Sequence, residues 1–420
     1  MRSLGTLGPP GRLALVASLA LSGSPLAAQT AFQTIHVFSS PADGNSPRAA
    51  LVLAPSGDAY GATLLGGSSN NGTVYQLTPV SGTEKWTESV IYSFAGAPDG
   101  ANPAGALIAG PDGVLYGTTI AGGGGGAGTV FQLTPPTETG GAWTESILYS
   151  FGGVPDGAAP HAGVVLGSNG LLYGTTAYGG TGTCASGCGT VFSLAPPAAP
   201  GGVWTETVLR SFQSSDGANP YASLAAESSS FLGTTVNGGE YNSGVIFSVT
   251  ESGVLKVLHS FEASVDGANP YAPLSLDTKG NVYGTARNGG TSGFGTLFTV
   301  TKGGALSILH TFSGVTDGAN PVAGVLAIGS ALYGAASLGG SNGDGTLFLL
   351  ELPTSTFKVL HTFNGANQSA NPLATPILAP SAALLGTCEP MLILDGPRPQ
   401  TTDAGSDFTF CTKNPPVCGN

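Results

Sequence analysis

Short apolar runs, cut by glycine-rich and Asp-Gly turns, follow one another along the chain in a fixed order. In one unit they occupy residues 104–109, 114–119, 129–134 and 143–151, with Pro111-Asp112-Gly113 and the glycines between 122 and 128 as the breaks. Runs this short, rich in Val, Thr, Tyr and Phe and bounded by turn residues, predict strands. Four in succession predict one antiparallel sheet. Runs such as Thr-Val-Phe-Gln-Leu carry apolar side chains on both faces, so each sheet has to be covered on both sides.

The same order of runs repeats. A loop phrase close to Asp-Gly-Ala-Asn-Pro recurs every 50 to 60 residues, with Asp43, Asp99, Asp156, Asp216, Asp266 and Asp317 at its head and Gln368 in the seventh place. A period near 50 with four strands inside it predicts a propeller, where each sheet is sandwiched by its neighbours and only short edges remain. A solenoid would need similarity at half the period, and none is present. The expected fold is therefore an all-β, seven-bladed β-propeller of four-stranded antiparallel blades over residues 29–388, with six blades as the fallback. Residues 34–38 match a fourth strand before any complete unit has begun, so the N-terminal strand is expected to close the last blade. The later strands of that blade are degenerate and fall, with the C-terminal tail, in residues 389–420. The first three units carry long loops that end in Trp86, Trp143 and Trp204, whereas later units have tight hairpins at 251–253 and 302–304.

Composition changes this picture little. The chain holds 68 glycines and 30 prolines, close to a disordered composition, but the glycines sit at fixed places in each repeat, as turns do. Residues 1–28 read as an export signal: Arg2 and Arg12, an apolar core over 13–21, then small residues up to Ala28. The core is too short to span a bilayer, so a secreted or periplasmic protein is expected, with no integral membrane segment after cleavage. The formal net charge is −12, from 12 basic and 24 acidic residues, and the basic residues form no stripe. That composition excludes nucleic acid as a partner. Export permits disulfides, and Cys184 and Cys188 are expected to staple their Gly-rich loop; Cys388, Cys411 and Cys418 allow one further bridge and leave one thiol over.

Several residues are candidates for chemistry. His36, His259, His310 and His361 hold one repeat position, occupied by Tyr92, Tyr149 and Arg210 in other units, and belong to successive outer strands. They are not expected to converge. His161 stands alone in the position where the preceding unit has Ala104. The loop Asp reads first as a turn cap and second as one member of a ring of oxygens for calcium or sugar hydroxyls. The three Trp residues read as sheet positions, with a sugar platform as the alternative. Gly122 to Gly126 lacks the Lys and the helix of a phosphate loop. The unmatched acids Glu227, Glu240 and Asp344 fall on different units. No nucleophile motif is present, so no catalytic, metal or cofactor-binding residue is assigned, no cofactor is expected, and the ligand-binding residues stay unassigned.

Two stretches carry a family resemblance: Leu115-Tyr-Gly-Thr-Thr119 with Gly128-Thr-Val-Phe131, and Leu309-His-Thr-Phe with Asp317-Gly-Ala-Asn-Pro321. They resemble the bacterial GloVer tandem repeat of exported choice-of-anchor proteins, and the likeness extends over nearly the whole mature chain. The resemblance implies an exported repeat protein and brings no catalytic residues with it. No anchor is read in residues 407–420. Residues and resemblance together suggest a non-catalytic scaffold that binds a glycan, a cell-surface component or an extracellular protein. The alternative is a propeller enzyme acting on polysaccharide or lactone through a central site. An enzyme of that kind should show a polar, asymmetric central funnel with several acids or histidines.

Overall fold

The computed structural model describes residues 32–38, 41–83, 85–138, 140–199, 201–365, 370–379 and 383–388, together with the backbone of the strand Ser406–Cys411. The expected export signal, Gln368, Cys418 and most of residues 389–420 lie outside the described residues. Among the described residues no helix is long and apolar enough to cross a membrane.

The chain is an all-β propeller of antiparallel sheets. Sheet 1 contains Asn45–Pro47, Val52–Leu53, Ala59–Leu65, Thr73–Pro79 and Trp86–Ser93. Sheet 2 runs Ile108–Ala109, Leu115–Thr119, Thr129–Thr134, Thr144–Ser150, and sheet 3 runs Val165–Leu166, Leu172–Thr176, Thr190–Ala195, Thr205–Ser211. Sheet 4 is Ala225–Ala226, Ser230–Thr235, Val245–Thr250, Leu255–Ser260, and sheet 5 is Ser275–Leu276, Val282–Ala286, Thr296–Val300, Leu306–Thr311. Sheet 6 is Val325–Ile328, Ala331–Ala336, Thr346–Glu351, Thr356–Thr362. Sheet 7 joins Ile377–Leu378, Ala383–Cys388 and Ser406–Cys411 to the N-terminal strand Phe32–Val37, which forms its outer edge. Six of these sheets are four-stranded blades, the fallback number; sheet 1 stands beside them with five strands, because two short segments both pair with Ala59–Leu65.

One packing rule explains the repeated phrase. The glycine of Leu-Tyr-Gly-Thr lies opposite the aromatic of Thr-Val-Phe: Gly117 pairs with Phe131, Gly174 with Phe192 and Gly233 with Phe247. A Cβ on Gly117 would stand 2.5 Å from the Phe131 ring, so only glycine leaves that ring room to lie across the strand. The ring then meets the last Phe of the preceding sheet edge to face. Phe94–Phe131, Phe151–Phe192 and Phe212–Phe247 are each 5.1 Å between centroids. Beside each aromatic the third and fourth strands slip register, as at Val130/Phe131 and Val191/Phe192, which adds twist at the same level of every such sheet.

Each core lies between sheets. One cluster joins Phe94 of sheet 1 to Phe131 and Leu133 of sheet 2, and another joins Phe38, Leu51 and Tyr75 to Ala379 and Leu385, closing the two ends of the chain on each other. Threonines in the second strands tie sheets 2, 3, 4, 5 and 7 to the inner wall of the next, while sheets 1 and 6 have Ala62 and Ala335 at that place. Thr118 Oγ1 donates to Ala162 O at 2.8 Å, Thr285 to Ala323 O at 2.9 Å and Thr387 to Ala49 O at 3.2 Å. The run over 104–109 is strand only at Ile108–Ala109. Before that it forms the inner wall, so close to its neighbour that a Cβ on Gly105 would stand 2.2 Å from Gly163 N.

Candidate functional site

The Asp loops are built as caps. Asp99 Oδ2 accepts from Ala95 N at 2.8 Å and from Tyr92 Oη at 3.1 Å, while its Oδ1 accepts from Gly100 N at 2.6 Å. Asp156 repeats all three bonds with Gly152, Tyr149 and Gly157. In later sheets a histidine replaces the tyrosine: His259 Nε2 lies 2.7 Å from Asp266 Oδ2, and His310 Nε2 lies 2.9 Å from Asp317 Oδ2. Arg210 pairs closely with Asp216. His259 and His310 are thus explained by the loop Asp seven residues onward, whereas His361 stacks on Phe32 at 4.1 Å and His36 lies edge-on to Phe38 at 4.7 Å. Burial holds His310 below the ordinary imidazole range, against the opposing pull of Asp317. The caps stay on separate loops, and no three His, Cys, Asp or Glu side chains among the described residues gather as a metal site requires.

The Trp-Thr-Glu triplets are also structural. Trp143 is half-buried, edge-on to Tyr60 at 5.7 Å, and covers the core between sheets 1 and 2. Trp204 and Trp86 lie against the corresponding cores. Their glutamates were not foreseen. Glu88, Glu145 and Glu206 are half-buried with no acceptor role for Oε1, and burial first, then the nearby Asp43, Asp99 or Asp156, pushes each carboxyl up to about 7. The unmatched acids do not meet: Glu227 pairs with Lys302 at 3.3 Å beside a cleft of about 120 Å³ between sheets 4 and 5, and the Asp344 carbonyl accepts from Asn371 N at 2.9 Å.

The repeat breaks at the inner wall. After each loop proline the chain alternates, with small residues such as Ala49, Ala162, Ala222 and Ala272 buried between sheets. The residue directly after the proline faces the other way, toward the axis, and is at least partly exposed. That column reads Arg48, Ala104, His161, Tyr221, Tyr271, Val322 and Leu373. In the repeat's own logic it should be uniform, and it is not. His161 packs on Tyr221 at 4.4 Å between centroids, and Tyr221 on Tyr271 at 5.4 Å. Tyr178, from the loop that ends the second strand of sheet 3, places its hydroxyl 2.8 Å from that of Tyr221. From the equivalent turn of sheet 5, Arg287 lies over the Tyr271 ring at 5.2 Å.

The loop asparagines frame this cluster. Asn102, Asn219, Asn269 and Asn320 have φ between 51° and 60°, a left-handed conformation that asparagine tolerates, and each donates to the sheet behind it. Asn320 Nδ2 also donates to Asn288 Oδ1 at 2.8 Å, and Asn288 to Asn269 at 3.1 Å. The Cys184–Cys188 disulfide, expected from sequence, closes the loop directly after Tyr178. Cys388 is buried, and the side chains of Cys411 and Cys418 lie outside the described residues.

The mouth therefore has one aromatic, cationic side (sheets 3 to 5, with Arg48 of sheet 1) and one aliphatic side at Val322 and Leu373. No member is acidic. Burial, and secondarily the Arg48 charge, lowers His161 to about 4, so the imidazole is neutral at neutral pH. Burial and the Tyr178 hydroxyl raise Tyr221. The cluster can offer rings to stack on, one hydroxyl proton left over from the tyrosine pair, and fixed positive charge. Sequence reasoning singled out His161 alone; aligning the repeats and looking for the column that fails to repeat would have found the rest.

A model of the Gloeobacter/Verrucomicrobia repeat matches residues 25–202 and 182–391. No curated protein matches the chain. Among solved structures, TolB from Acinetobacter baumannii is similar at 14% identity with a TM-score of 0.37, over 59% of this chain and 50% of that one. The chain thus spans half the length of TolB. A putative oxidoreductase (glucose dehydrogenase) from Thermus thermophilus is similar at 16% identity and a TM-score of 0.46, over 91% of this chain and 99% of that one. A putative 6-phosphogluconolactonase from Bacteroides uniformis is similar at 18% and 0.48, over 76% and 86%. Likenesses this distant carry nothing about ligand or chemistry.

Proposed function

The chain belongs to the Gloeobacter/Verrucomicrobia repeat family, and we propose that it is an exported, non-catalytic propeller scaffold that binds a glycan at the mouth of its inner wall. The observation that carries this reading is the broken column. Elsewhere the repeat keeps the residue that packing needs, whereas after the loop proline it supplies His161, Tyr221 and Tyr271 side by side. Nothing in the cores requires rings there. Tyrosine rings with hydroxyls suit the C–H faces and hydroxyls of a sugar, and contact area from stiff aromatics carries a small entropy cost. The enzyme alternative draws on the same asymmetry, but a neutral His161 with no acid in the cluster is a poor proton carrier at neutral pH.

The test is glycan-array binding by the protein purified after export, followed by titration of the best binder against Tyr221→Ala. The expected result is selective binding that falls about tenfold or more in the variant, since stacking and a hydroxyl contact are both removed. A blank array, or equal binding by Tyr221→Ala, would remove the mouth as a glycan site. Turnover of a polysaccharide or lactone, abolished by His161→Ala, would favour the enzyme.

A further inference from the structure

The mouth places positive charge on both sides of its aromatic cluster in a chain that has little to spare. Two of the 12 basic residues, Arg48 and Arg287, belong to it, against 24 acids overall. Arg48 is near enough to His161 to affect its titration, although sheet 2, whose residue in the column is Ala104, lies between their sheets.

Arg287 places its guanidinium over a ring: Cζ lies 5.2 Å from the Tyr271 centroid, and the donors of a guanidinium lie in its own plane. Nε is buried, without an acceptor within the protein and closed to a ligand, so the edge that a ligand can meet is the one formed by the two Nη groups. The backbone carbonyl of Arg287 already accepts from Asn320 Nδ2 at 3.1 Å, which fixes the residue in place. Its neighbours in the mouth, Tyr221 and Tyr271, have no charge to offer it.

We infer that the mouth selects an acidic sugar residue, a uronate, whose carboxylate accepts from the in-plane edge of Arg287 while its ring packs on the tyrosines. This rests on the glycan reading above and narrows it. A planar carboxylate matches the guanidinium edge with two parallel bonds, which a neutral hydroxyl cannot do. The chain's net charge of −12 opposes an anion at long range only, because at physiological salt charges beyond about 8 Å are screened. Close charge decides the binding.

The experiment is calorimetric titration of the exported protein with oligomers of galacturonate, glucuronate and mannuronate, each as the free acid and as the methyl ester, with a sulfated saccharide as a further arm. The expected result is at least one backbone whose acid form binds about tenfold or more tighter than its ester. Arg287→Gln should bring the acid down to about the ester's affinity, with a far smaller change in ester binding and a cooperative melt retained. Arg287→Lys, which keeps the charge without the fork, should fall in between. Acid and ester binding equally would overturn the uronate assignment and leave the glycan reading standing. So would a preference for the sulfated chain, or Tyr221-dependent binding of neutral glycans alone. If no saccharide of any kind binds, the glycan reading falls with it.

Discussion

Glu145 shows how a residue can be misjudged when only its type and column are known. In the sequence it is the third letter of Trp-Thr-Glu, an ordinary polar strand position. In the fold its carboxyl faces the Asp99 cap across the junction of sheets 1 and 2, half-buried, and is held up to about 7. Its pKa is raised above the ordinary 4.5, so the folded state binds the proton more tightly than the unfolded state does. Stability is accordingly greater below that ordinary value and declines as pH rises toward 7. Glu145→Gln should raise Tm at pH 8 and have no such effect at pH 4, as a pair of thermal melts would show. A gain of equal size at both values would mean that ionisation is not responsible. His161 was visible in the sequence because it is rare there. Tyr221 and Tyr271 were not, because tyrosine is unremarkable beside a proline until its place on the inner wall is known.

Within a sheet, the strands were legible where their residues do packing work and illegible where they face the axis. Residues 129–134 and 115–119 could be placed to within a residue, because the glycine–aromatic pairing fixes both spacing and register. The run over 104–109 was extended too far. Its alternation is real, but its partner across much of that stretch is another sheet's inner wall, and only Ile108–Ala109 joins a ladder. The pairing itself can be tested. In Gly117→Ala the new Cβ would stand 2.5 Å from the Phe131 ring and 2.7 Å from Leu107 Cδ2, an overpacking that costs about 1–3 kcal/mol. Adding Phe131→Leu should recover part of that loss in urea denaturation, so the double variant costs less than the sum of the singles. Strict additivity would show that the ring is not what the glycine makes room for.

For the whole molecule, the repeat made the architecture plain, and the closure followed from the stray fourth strand near the N-terminus. Phe32–Val37 covers the edge of Ser406–Cys411, and the Phe32 ring stacks on His361 at 4.1 Å and meets Phe363 edge-on at 5.6 Å. The first residue of this strand thus ties sheet 7 to sheet 6. A chain lacking residues 32–37 should keep its other sheets but exchange the amides of 383–388 with deuterium markedly faster, while those of 129–134 change little. Uniform acceleration over both would indicate that the ring opens as one unit, and no change at either would deny the strand its role as a clasp.

The column that follows the loop proline has a consequence for how such proteins diversify. Glycine, phenylalanine, threonine and the capping Asp are each committed to a neighbour, so a change at any of them is felt through a whole interface. The residues at 48, 104, 161, 221, 271, 322 and 373 lie outside the buried cores between sheets, and the rings at 161, 221 and 271 pack on one another and on the turns beside them. A lineage can therefore rewrite them one at a time and pass from one recognised molecule to another while inheriting the same ring. Among sister chains this column should be where ancestry is hardest to read and way of life easiest.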